Sequence, residues 1–242
     1  MLVPLPDLAS WRTVALLKCD ALGRVEQVVG ADGEVAVRRV ACGGRLPGSA
    51  AVARLLLRRE RRALQRLAGL ADVPQLLAYG RGWLVRSWLA GVPLQRATSL
   101  PRDFFLHLGA LLAAVHARGV AHNDLHKEPN VLVQPGGRPA LLDFQLASVH
   151  RGGGCRFRAR MREDGRHVHK HGQRYEHRGA RAPGGVVPAS RSLTSRLWAA
   201  LVKPAYNTLT RRLLRRSDGE GRRPPAGPWP EWGPPLGPGS AT

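Results

Sequence analysis

Cysteine is scarce in this chain. Its 242 residues include three, Cys19, Cys42 and Cys155. Three scattered thiols exclude a disulfide framework and a cysteine-based zinc site, and make reduced thiols in a cytoplasmic protein the expectation. Acidic residues are also few, 17 against 38 Lys and Arg, which leaves a formal net charge of +21 and a pI near 11.6. A surplus of this size calls for an anionic partner such as nucleic acid, phospholipid, a nucleotide or a phosphorylated glycan. Long hydrophobic runs are missing as well. No stretch approaches the roughly 18 apolar residues that cross a bilayer, and no early segment has signal-peptide character. A soluble, cytoplasmic protein is expected, with peripheral association at an anionic inner membrane face as an option.

What is present divides into three regions. Residues 1–88 read as a strand-rich lobe with one helix. Val25 to Val29 and Val35 to Val40 are β-branched runs separated by Gly30-Ala31-Asp32-Gly33, whose Asp-Gly marks a tight hairpin. Over 50–69, Leu56, Leu57, Ala63, Leu64 and Leu67 recur at three and four, the period of an amphipathic helix. Gly80 to Trp88 returns to strand character, and Gly91-Val92-Pro93 breaks the chain as a hinge. Residues 89–217 read as a second lobe. It opens with a long apolar helix from Pro101 to Arg118 and continues into two short strands, Val131 to Val133 and Ala140 to Leu142. Arg151 to Pro188 shows little periodicity, and a basic amphipathic helix is predicted over 195–216. Residues 218–242 are rich in Pro and Gly and predict a disordered tail.

The chemistry concentrates in His122-Asn123-Asp124-Leu125-His126-Lys127-Glu128-Pro129-Asn130 and, after a short strand, Asp143-Phe144-Gln145. One Asp between His and Asn, with a second Asp ending an apolar run, suits phosphoryl transfer. One carboxylate positions the attacking hydroxyl and accepts its proton. The other, with an amide oxygen, holds the magnesium that bridges the phosphates.

These motifs resemble those of the protein-kinase-like superfamily, with its H-x-D-L…N catalytic loop and D-F-G metal motif. The His-Asn-Asp-Leu form is similar to choline and aminoglycoside kinases. The whole run is closest to the small bacterial RIO-like serine/threonine kinases, a resemblance that extends over about residues 15–220. It implies an α+β, two-lobed kinase-like fold with a minimal second lobe. It also implies ATP and Mg2+ as cofactors and a hydroxyl-bearing acceptor, either a protein or an anionic glycan. In that reading Asp124 is the catalytic carboxylate, His122 braces the loop, and Asn130 and Asp143 bind metal. Asn130 follows Asp124 by six residues instead of the superfamily's five, so the extra residue within 127–129 must be absorbed by a bulge. Gln145 replaces the glycine of D-F-G, which removes easy access to positive φ and suggests a fixed motif.

The first lobe offers weaker signals. Val35-Ala36-Val37-Arg38 resembles the V-A-I-K strand, and alternation puts Ala36 and Arg38 on one face, expected to be the nucleotide face. A solvated surface arginine remains the competing reading for Arg38, with Arg39 adjacent. Glu60 lies in the apolar stripe of its helix, where a carboxylate needs a cation, so an Arg38–Glu60 pair is expected, with a helix arginine as the alternative. Gly23 and Val25 are what is left of a glycine-rich loop, and Val25 and Ala36 would sandwich adenine. His167, His169, His171 and His177 suggest a metal less well than a basic loop touching an anionic substrate. Two other functions stay open: a kinase of lipopolysaccharide core sugars, and a degenerate nucleotide-binding module without turnover.

Overall fold

A computed structural model of the chain describes residues 10–20, 22–43 and 48–176. The helix predicted over 195–216, the tail from 218 and His177 lie outside the described residues. The chain begins with a five-stranded antiparallel sheet, β1 (Arg12–Asp20), β2 (Gly23–Val29), β3 (Val35–Ala41), β4 (Leu76–Gly80) and β5 (Trp83–Ser87), in the order β1-β2-β3-β5-β4. The β2–β3 hairpin closes where Asp-Gly predicts it, with Val29 opposite Val35 and Gly33 in the left-handed region at φ 83°.

Helix α1 (Ser49–Arg66) interrupts the sheet between β3 and β4. It buries Ala53, Leu57, Glu60, Ala63 and Leu64, a three-and-four stripe containing one carboxylate. Alternation along β3 then sorts the two faces of the sheet. Ala36 packs with Trp11, Val28, Ala78 and Val85 in a small apolar cluster on one face. Val37 and Arg39 stand on the other, opposite Arg86 and Leu84 of β5.

The larger core runs from the end of α1 through the remaining elements. Helix α2 (Phe104–Ala117) contributes Phe104, Leu108, Leu111, Leu112 and Val115. Strands β8 (Val131–Val133) and β9 (Pro139–Leu141) pair as expected. They are joined by β6 (Val92–Pro93), which hydrogen-bonds β8. The expected hinge at Gly91-Val92-Pro93 is therefore held as an edge strand instead of standing as a free break. Strand β7 (Val120–Ala121) pairs with β10 (Ser148–Val149) and brings the segments before and after the motif residues side by side. Gly119 permits this approach: φ is 74°, and a Cβ there would lie 2.4 Å from the His150 carbonyl oxygen.

The largest departure from expectation is α3 (Cys155–Glu176), a 22-residue helix where weak periodicity suggested a loop. Its inner stripe is Phe157, Met161, Asp164, Val168, His171 and Tyr175, spaced by four and three and buried or half-buried throughout. Two of these six residues are polar, and Gly165 and Gly172 interrupt the run, so hydrophobicity alone does not reveal the stripe. No described helix is long and apolar enough to cross a membrane.

Candidate active site

The segment from β7 to β8 folds back on itself in a way its polar residues dictate. His122 is fully buried. Its Nε2 lies 2.7 Å from the Leu142 carbonyl oxygen, and its ring sits 4.7 Å from that of buried Phe144. This one side chain joins the two motifs, the bracing role expected of it. Asn123 adopts the left-handed conformation at φ 64°, which Asn tolerates better than most residues. Its amide donates to the Leu146 carbonyl at 2.8 Å and the Ala121 carbonyl at 3.2 Å.

Asp124 is 2% exposed. Asn130 Nδ2 donates to its backbone carbonyl and to Oδ2, both at 3.0 Å. Lys127 Nζ lies 3.3 Å from Oδ2 and His126 Nδ1 3.2 Å from Oδ1. The extra loop residue is absorbed by a 3-10 turn at Glu128–Asn130, where the Asn130 N–H donates to the Lys127 carbonyl at 3.1 Å. Asn130 consequently points inward, 5% exposed, and its own carbonyl accepts from Leu142 N–H at 2.8 Å, next to Asp143.

Asp143 itself has positive φ, 59°. Gln145 Nε2 donates to its Oδ1 at 2.8 Å, and Arg39 Nη1 approaches the same oxygen to 3.5 Å. Gln145, standing where glycine is usual, thus holds the carboxylate in place. Burial pushes the Asp143 carboxyl up, but the Arg39 and Arg86 guanidiniums outweigh it and leave its pKa below the ordinary carboxylate value.

The expected Arg38–Glu60 pair is not formed. Arg38 lies on the far face of the sheet, where Nε donates to Glu26 Oε2 at 2.7 Å, Nη1 to the Trp11 carbonyl and Nη2 to Thr13 Oγ1. Glu60 instead meets Arg39 at 3.0 Å and Arg86 at 3.3 Å, and Arg39 goes on to Asp143. Ala36 moves with Arg38, packed in the far-face cluster and away from the position expected beside adenine. The alternation was read correctly, but the face was not. Two adjacent arginines give each face a cation, and only the seat of α1 decides between them. Strand β3 presents Val37 and Arg39 where Ala36 and Arg38 were expected. Gly23 and Val25 do line the cavity on this face, together with Arg39, Leu56, Leu57 and Gln145. Asp20 Oδ1 accepts from Leu22 N–H at 2.8 Å and Gly23 N–H at 3.1 Å, so a carboxylate-capped turn stands in place of a glycine-rich loop. At Gly23 a Cβ would meet the Val40 carbonyl at 2.2 Å.

Helix α3 supplies the residues that sequence reasoning missed. Asp164, 1% exposed, accepts from His122 N–H and Asn123 N–H at 2.8 Å each, and His116 Nε2 lies 3.1 Å away. His171 Nε2 lies 2.7 Å from the Leu125 carbonyl oxygen, and the Tyr175 hydroxyl lies 2.9 Å from Glu128 Oε2 and 3.1 Å from the Leu94 carbonyl oxygen, two acceptors for its one proton. Successive turns of one helix therefore grip residues 122, 123, 125 and 128 of the loop carrying Asp124. His167, His169 and His171 belong to that helix and not to a loop. Burial, then Arg166, pushes the His167 imidazole down to about 4, and burial also lowers His171.

The donor set suits Mg2+. A carboxylate at Asp143 and an amide oxygen at Asn130 are hard oxygen ligands, and this ion completes its shell from phosphates and water. Asn130 directs its Nδ2 toward Asp124, which leaves the amide oxygen as the ligand atom. No three His, Cys, Asp or Glu side chains among the described residues form a cation site by themselves. A site built from one carboxylate and one amide does not require such a group.

No model of a known protein family matches the chain. Among curated proteins it resembles the probable SapB synthase of Streptomyces coelicolor, 37% identical over a stretch that covers 41% of this chain. That stretch is 13% of the synthase, so the chain corresponds to a small part of its relative.

Proposed function

We propose that the protein is an ATP- and Mg2+-dependent phosphotransferase that moves the γ-phosphate to a hydroxyl acceptor, with serine/threonine protein kinase activity. One observation carries this reading. A buried Asp124, touched by Lys127 and Asn130, is locked through His122 and Leu142 to Asp143, which lies under an Arg39–Glu60–Arg86 network. Asp124 would orient the acceptor hydroxyl and take its proton, with Lys127 neutralising charge that develops beside it. Asp143 and Asn130 would hold the ion, whose chemistry there would be charge neutralisation of phosphate oxygens. Arg39 would contact phosphate from the sheet. The name of the matched relative, a synthase, agrees with an enzyme and does not specify this chemistry. An α+β architecture with, among the described residues, an antiparallel sheet and three α-helices is compatible with the kinase-like fold that the motifs imply.

A nucleotide-binding module without turnover is favoured by one specific contact, the engagement of Asp143 Oδ1 by both Arg39 and Gln145. Variants separate the two readings. Labelled ATP supplied with protein and glycolipid fractions should give Mg2+-dependent transfer to an acceptor. Asp124→Ala should keep ATP affinity while transfer falls by about 10²-fold or more, and Asp143→Ala should lose Mg2+-dependent ATP binding. Binding without transfer in the unmodified protein establishes the module instead. Equal loss of binding in both variants would overturn the assignment of roles.

A further inference from the structure

A second cavity, of about 330 Å³, opens where the C-terminal ends of α1 and α2 meet the segment after β10. Its charged lining is of one sign: Arg66, Arg118 and Arg151, with His116 and His150. Cations at helix C-termini are ordinarily explained by the carbonyls that end there. That explanation falls short here. Four of the terminal carbonyls already have backbone donors, Leu67 N–H for Ala63 and Leu64, Arg118 N–H for Val115 and Gly119 N–H for His116. A helix end presents about half an elementary charge, so two ends offset roughly one of the three guanidiniums. Among the described residues, none of the three guanidiniums forms an ion pair or a hydrogen bond. The nearby carboxylate, Asp164, sits behind His116 and is occupied by that ring and two loop amides.

We infer that this cavity binds a phosphate monoester. Such a group carries close to two negative charges and three acceptor oxygens, which match several guanidinium forks in charge and donor number as a carboxylate would not. The volume suits it, and Gly152 and Gly153 leave open space, since no atom lies within 4 Å of a Cβ built at either. The site is also coupled to the loop carrying Asp124. His116 lines the cavity, and its Nε2 faces the same Asp164 oxygen that accepts the His122 N–H. An anion there steadies the loop through one shared carboxylate. The inference does not depend on phosphotransfer by the neighbouring residues.

The test uses the full chain at fixed ionic strength, with inorganic phosphate and a phosphoserine peptide as probes. Calorimetric titration should show saturable binding, with slower amide hydrogen exchange at residues 116–123 and 150–154. Arg118→Gln combined with Arg151→Gln should weaken binding at least about tenfold, given charge-assisted bonds lost at two guanidiniums. Arg58→Gln, an exposed position that lines neither cavity, should leave it unchanged. Comparable affinity for both probes identifies a small phosphorylated metabolite as the source. Much tighter peptide binding identifies a phosphorylated protein segment. Undiminished affinity in the double variant, no saturable binding, or protection mapped elsewhere overturns the proposal. If the double variant does not fold, the exchange map of the unmodified protein decides.

Discussion

Glu60 is the residue on which the cavity lined by Arg39 and Gln145 turns. At 1% exposure it balances Arg39 and Arg86, and Arg39 extends the network to Asp143. Burial lowers Arg86, only partly offset by Glu60, while the carboxylates around Arg39 more than compensate for its burial. Removing Glu60 strands two guanidiniums, so Glu60→Ala should cost about 3–5 kcal/mol, the usual range for breaking a buried pair. Arg38→Ala should destabilise the far face by loss of its Glu26 pair while leaving ATP affinity as it was. Urea unfolding and nucleotide titration of the two variants check this, and reduced ATP affinity in Arg38→Ala would restore the sequence-based assignment. His167 gives a pH test. Its imidazole is held down at about 4 against an ordinary 6.5, so the folded state resists protonation. Its contribution to stability is complete above pH 6.5 and is lost as pH falls toward 4. Buried His171 acts in the same direction. Asp143, also lowered, matters only as pH falls through and below the carboxylate range. Thermal midpoints should drop between pH 6.5 and 4, and His167→Gln should flatten the drop; parallel profiles would count against it.

Helix α3 shows where the sequence was legible and where it was not. α1, α2 and the β2–β3 hairpin follow from apolar periodicity and turn chemistry, and they lie within a few residues of their predicted bounds. The positions of Asp124, Asn130 and Asp143 follow from motif spacing, because their residue types have few other uses together. α3 failed that approach because the side it buries is partly polar. Asp164 and His171 fill the stripe and have partners in the loop instead of in the core. The signal was available: Phe157, Met161, Asp164, Val168, His171 and Tyr175 keep the four-three spacing once polar residues are counted. The choice between Arg38 and Arg39 had no local signal at all, since it depends on which face receives α1. The grip of α3 on the loop is testable at the level of the helix. Asp164→Ala leaves two buried amides and His116 without their acceptor, which should cost about 3 kcal/mol and depress transfer together with stability. Tyr175→Phe removes the one hydroxyl proton shared between Glu128 and the Leu94 carbonyl at the end of the grip and should cost nearer 1 kcal/mol. Denaturant midpoints and transfer rates of the pair check the gradient, and an Asp164→Ala protein as stable as the parent would show that the clamp contributes nothing.

At the scale of the whole molecule, two quantities are distributed differently along the chain: apolar burial and charge. Among the described residues, the buried members of the main apolar cluster run from Ala63 to Tyr175. The helix predicted over 195–216 lies outside the described residues, and α3 contributes Val168 and Tyr175 to that cluster. Charge continues further. Residues 177–242 hold 11 Lys and Arg against three Asp and Glu, a net +8, which leaves +13 of the total +21 on residues 1–176. The described part and the remainder are each cationic enough to meet an anionic surface. If the described cluster is enough to fold the chain, one ending at residue 186 should unfold cooperatively, with a thermal midpoint within a few degrees of the full protein. It should still bind vesicles rich in anionic lipid, more weakly and with a shallower dependence on salt, since fewer cations are screened over about 8 Å at physiological ionic strength. Vesicle sedimentation from low to high salt, with calorimetry of both chains, checks both halves of this expectation. An insoluble truncated chain would show that residues beyond 186 complete the core. Vesicle binding abolished by the truncation would place the membrane-facing charge entirely in those residues.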